Sequence, residues 1–123
     1  MRNSRNKIRC EKIHLQKCAD GICRTYTPIQ RVYAEMLEQD SSVQEFKCNV
    51  SLPAFELTDG LYTTDFVITK TNGDIAVREC ILREYINRPF HIRLLDASRE
   101  YWLRRGIQDW GIVTNEDKRH IKG

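Results

Sequence analysis

The chain has 123 residues, of which 41% are hydrophobic and 30% charged, with three prolines and six glycines. That size and mixture predict one small domain and exclude a disordered, collagen-like or low-complexity chain. Twenty Lys and Arg against seventeen Asp and Glu give a formal charge of +3, and the excess lies in the first 25 residues, which carry seven basic and two acidic side chains.

Residues 1–25 show neither helical nor strand periodicity and are interrupted by Gly21, so they are read as a basic arm. Such an arm suits contact with a phosphate backbone or serves as a solvated tail. Its start, MRNSRNKIRC, is polar with no apolar stretch behind it, and no apolar run approaches bilayer length. A soluble, non-secreted protein with no membrane contact is expected. Five cysteines, an odd number, predict free thiols rather than a disulfide framework. Cys10, Cys18 and Cys23, with His14 among them, lack the close CxxC pairs of structural zinc sites, and Cys48 and Cys80 read as small buried hydrophobes.

Thr27, Pro28 and Gln30 supply an N-cap, a first-turn proline and a capping-box partner. Ile29, Val32, Tyr33, Met36 and Leu37 follow at helical spacing, which predicts a helix to about Gln39 and a turn through Asp40, Ser41 and Ser42. Phe46, Cys48, Val50 and Leu52 alternate with polar residues as a strand stopped by Pro53. Leu61 to Lys70 reads as a second strand, Asn72 and Gly73 as a hairpin turn, and Ile75 to Leu82 as a third strand. Residues 83–89 form a polar connection. Pro89 then starts a second helix that ends before Gly106 as its C′ residue, with Leu94, Leu95, Ser98, Tyr101 and Trp102 on one side. Ile107 to Thr114 is the last strand, and 117–123 form a tail. A helix between the third and fourth strands makes those strands parallel neighbours, so an α/β fold with a mixed four-stranded sheet flanked by helices is expected.

This order, α-β-β-β-α-β, is similar to the core of restriction-endonuclease-like, PD-(D/E)xK nucleases. The runs YTTDF, VREC and LLDASREYWLRRGIQDWGIVT resemble the N-terminal endonuclease domain of TnsA, the strand-cutting subunit of heteromeric transposases, over about 26–116. The resemblance implies a bacterial, cytoplasmic, magnesium-dependent hydrolase of DNA phosphodiesters. Its partners would be DNA, a TnsB-like DDE transposase and a TnsC-like ATPase regulator. It maps a first metal ligand onto Asp65 and a helical ligand onto Gln30. On the third strand, Arg78 and Glu79 supply a cation and an acid, but as neighbours they point to opposite faces of a regular strand. A two-residue Asn72-Gly73 turn puts Asp65 on one face with Arg78, whereas a three-residue turn that includes Thr71 sets Asp65 opposite Glu79. The cost of burying an unpaired acid favours Glu79 as the second ligand. Arg78 is then a phosphate contact or a surface charge, and it stays protonated, so it is no general base.

Arg83, Arg88, Arg93, Arg99, Arg104 and Arg105 read mostly as a solvated helix face. The histidines have no triad spacing. Two rival readings are a catalytically silent nucleic-acid-binding or assembly module with the nuclease fold, and another nuclease of that fold, such as a junction resolvase.

Overall fold

The computed structural model describes residues 10–52 and 62–115. Its elements are β1 (Glu11–His14), β2 (Ile22–Thr25), α1 (Pro28–Gln39), β3 (Val43–Leu52), β4 (Tyr62–Lys70) and β5 (Ile75–Cys80). A 3-10 turn (Arg83–Tyr85), α2 (Pro89–Leu103) and β6 (Asp109–Val113) complete the described residues. The main sheet runs β3-β4-β5-β6, antiparallel except for the parallel β5–β6 pair. The expected α/β fold with a mixed four-stranded sheet and two helices is therefore present. No helix among the described residues is long and apolar enough to cross a membrane.

Residues 10–25 are not an arm. β1 and β2 pair antiparallel, and the turn between them continues onto the main sheet: the Ala19 amide donates to Phe46 O (2.9 Å) and the Phe46 amide to Lys17 O (2.8 Å). Both carboxylate oxygens of Glu38 on α1 receive amides from this turn, those of Gln16 and Lys17, at 3.0 Å each. Cys23 is fully buried in a core with Cys18, Ala34, Leu37, Phe46, Phe66 and Ile68. Four-residue strands are too short to show a period, and their burial comes from pairing across the chain. The rest of the expected arm, 1–9, and the expected tail lie outside the described residues.

Thr27 caps α1 as expected, its Oγ1 accepting from the Gln30 amide at 3.2 Å. The buried side, however, is Ile29, Gln30, Ala34 and Leu37, while Val32 and Met36 are more than half exposed. The helix is rolled toward its small and polar residues, because Ala34 permits close approach and Gln30 finds buried partners. β3 starts three residues earlier than expected, and β5 and β6 are shorter than expected. The end of α2 conforms: the Gly106 amide donates to Leu103 O and the Ile107 amide to Trp102 O, a Schellman motif with Gly106 at φ 86°.

α1 covers one face of the sheet. α2 covers the other, where Trp102 packs with Leu52 and Val77, flanked by Val50, Val67 and Trp110. The strand faces do not alternate throughout. Cys48 and Phe66 join the α1-side core, whereas Val50 packs on the α2 side and Thr64 bonds Trp102. Two residues apart on a regular strand share a face, so both strands turn over between these positions. On β3 the turning residue is Asn49, at φ 55°, a conformation asparagine tolerates better than most side chains. On β4 it is Asp65.

Candidate active site

The hairpin register decides where the acids meet. Lys70 and Asp74 close a three-residue turn, with the Lys70 amide donating to Asp74 O (2.8 Å), the Gly73 amide donating to Lys70 O (2.9 Å) and Gly73 at φ 94°. The pairs Phe66↔Arg78, Val67↔Val77 and Ile68↔Ala76 follow, and one further step sets Asp65 opposite Glu79. At that step side chains replace the backbone ladder. The Asp65 amide donates to Glu79 Oε1 (3.1 Å), and the Cys80 amide donates to Asp65 Oδ2 (2.7 Å).

Glu79 is 2% exposed. Its Oε2 accepts from Ser98 Oγ at 2.5 Å and Thr64 Oγ1 at 2.9 Å. Both hydroxyls are aimed by tryptophans: Trp110 Nε1 donates to Ser98 Oγ and Trp102 Nε1 to Thr64 Oγ1, each at 3.0 Å. This buried chain of donors fixes the glutamate from above and below. It also explains Ser98 in the otherwise apolar stripe of α2.

Asp65 is held from the α1 side. Gln30 Nε2 donates to Asp65 Oδ1 at 2.6 Å and to Asn49 Oδ1 at 3.0 Å. The Gln30 oxygen is turned away, accepting from the Tyr26 amide at 2.7 Å. Gln30 is thus a hydrogen-bond donor that orients Asp65 rather than an oxygen ligand in this arrangement. Arg78 is on the opposite face from Glu79, as a regular β5 requires. Its guanidinium pairs with Asp109 Oδ1 (2.8 Å), donates to the backbone oxygens of Val77 and Asp109, and lies across Gly111. Its charge is spent on tying β5 to β6, away from the acids.

Asp65 and Glu79 line one cavity of about 320 Å³, with Tyr62, His91, Leu94 and Leu95 on its walls and Thr27 of the α1 cap at its edge. Burial and then the Asp65 charge push the Glu79 carboxyl up from 4.5 to about 7, against the bonds from Ser98, Thr64 and the Asp65 amide. Burial also raises Asp65, opposed by its bonds to the Cys80 amide, Glu79 and Gln30. The two carboxyls are linked through backbone amides, Asp65 N to Glu79 Oε1 and Cys80 N to Asp65 Oδ2, and burial together with the Asp65 charge keeps the Glu79 carboxyl partly protonated near neutrality. Two hard oxygen donors side by side are a donor set whose chemistry would suit a small dication.

The folded chain binds the Glu79 proton more tightly than the unfolded chain. Stability without divalent metal therefore falls as pH rises from about 4.5 through about 7. Thermal unfolding in a chelator across pH 4.5–8 is expected to show this decline, and Glu79→Gln to flatten it. His91, Thr64, Ser98 and the two tryptophans were not anticipated as parts of the site. For Ser98, the signal was a polar residue among Leu94, Leu95 and Trp102.

A scan against protein-family models and a search of the curated proteins both find no match to this chain.

Proposed function

We propose that the chain is a magnesium-dependent DNA endonuclease of the restriction-endonuclease-like class. In this reading it acts as a TnsA-like subunit that nicks DNA at transposon ends, beside a TnsB-like transposase that supplies end recognition and a TnsC-like regulator. The observation that carries the reading is the convergence of Asp65 and Glu79 on one cavity from adjacent strands, with the Asp65 amide donating to Glu79 Oε1. The element order and the parallel β5–β6 pair support the same fold class.

Asp65 and Glu79 are the residues that would hold the ion. Bound there, magnesium supplies charge against the phosphate and lowers the pKa of a coordinated water. The protein's own part is positional. Gln30 and the Cys80 amide fix Asp65, while the Thr64 and Ser98 hydroxyls keep Glu79 from rotating out of reach. The direct test is nicking of supercoiled plasmid with magnesium, alone and with the partner transposase. Nicking by the parent that Glu79→Gln abolishes supports the enzyme.

One observation favours the silent module: among the described residues, no lysine or arginine lines the acid cavity, because Arg78 is engaged by Asp109. In that case the parent binds DNA and the transposase but cuts nothing with any divalent ion.

A further inference from the structure

Three cysteines from three segments meet away from the acid pair. Cys18 lies in the β1–β2 turn, Cys23 on β2 and Cys48 on β3, and their Sγ atoms all lie within 4.8 Å of one another. Cys18 and Cys23 are buried, while Cys48 is half-buried. Cys18 and Cys48 line a cavity of about 570 Å³ together with Asp20, Arg24 and Lys47. The cluster thus has an apolar back and a polar, solvent-facing front.

We infer that Cys18, Cys23 and Cys48 form a binding site for a thiophilic divalent ion of the zinc class, with the fourth coordination position opening to the cavity. Three sulfurs select a soft or borderline metal and reject magnesium. A zinc–sulfur bond of about 2.3 Å puts tetrahedral ligand sulfurs about 3.8 Å apart, so the thiols need to close by less than about 1 Å. Three thiolates on a dication leave one negative charge, and Arg24 and Lys47 stand on the cavity wall to offset it.

Such an ion welds the β1–β2 hairpin to the main sheet. It does so beside Asn49, whose Nδ2 donates to Arg24 O at 2.7 Å and whose Oδ1 holds the Gln30 amide. The site is independent of the nuclease reading, since its ligands share nothing with Asp65 and Glu79.

The test is titration of the reduced 123-residue chain with Co²⁺ as a spectroscopic probe, followed by Zn²⁺ displacement. The expected result is one thiolate-bound Co²⁺ per chain, with thiolate-to-cobalt charge-transfer absorption and tetrahedral ligand-field bands, displaced by one equivalent of Zn²⁺. Cys23→Ala and Cys48→Ala lose the signal; Cys10→Ala, Cys80→Ala and Asp65→Asn keep it. Should Cys23→Ala fail to fold, the parent and the half-buried Cys48→Ala decide. Zinc is also expected to raise the melting temperature of the parent, and a chelator to reverse the gain. No thiolate absorption in the reduced parent, or a signal that survives Cys48→Ala, overturns the inference. So does a reduced chain that takes no metal but forms a disulfide between two of the three on oxidation.

Discussion

Asp65→Ala is expected to lower magnesium-dependent nicking by about 100-fold or more, a loss of at least about 2.7 kcal/mol of transition-state stabilisation. The substitution removes one of the two carboxylates of the proposed ion site. It also leaves the Cys80 amide and the Gln30 Nε2 without their acceptor. Loss of a ligand and loss of a fold contact are separated by Asp65→Asn, which keeps an acceptor oxygen for the Cys80 amide but halves the charge available to the metal. That variant is expected to melt near the parent and still to nick at the background rate. Rates of supercoiled-plasmid relaxation, read beside melting curves, check both. Nicking by either variant at the parental rate would remove Asp65 from the metal site.

The second large effect belongs to a residue that touches no substrate. Ser98→Ala deletes a fully buried hydroxyl that accepts from Trp110 and donates to Glu79. The buried Glu79 and the half-buried Trp110 lose a partner at once, the buried one at about 1–3 kcal/mol, so a destabilisation of about 2 kcal/mol is expected in denaturant unfolding. The hydroxyl stabilises the charged glutamate, and its loss moves the Glu79 carboxyl further up from about 7. Metal binding in Ser98→Ala is therefore expected to require a higher pH than in the parent. Unchanged pH dependence with lowered stability would show that Ser98 only fills space.

The parts of this structure readable from sequence are those whose cause is local. Thr27, Pro28 and Gln30 mark a helix start because capping is satisfied within one turn. Asn72-Gly73 marks a hairpin because only glycine takes φ 94° cheaply there. The choice between two and three turn residues, and hence between Arg78 and Glu79 opposite Asp65, was not local; it depends on how β4 packs between α1 and α2. Gln30 could be placed on α1 but not rolled inward, since Val32 and Met36 are the more apolar residues and burial followed fit rather than hydropathy. The Trp102–Thr64–Glu79–Ser98–Trp110 chain spans contacts up to 38 residues apart. No spacing rule could have assembled it. The same holds for Cys48 joining Cys18 and Cys23, which has no short-range signature. The tie between Arg78 and Asp109 depends on the parallel pairing of β5 with β6, which element order predicts without fixing which side chains face each other.

Calorimetric titration of magnesium into the chain, in buffers of different ionisation enthalpy near pH 7, tests the central claim most directly. The account predicts one ion per chain at the acid pair, release of a proton from that pair on binding, and loss of both the binding and the proton release in Glu79→Gln and Asp65→Ala. A parent that takes up no magnesium, or one whose uptake is the same in both variants, would contradict it.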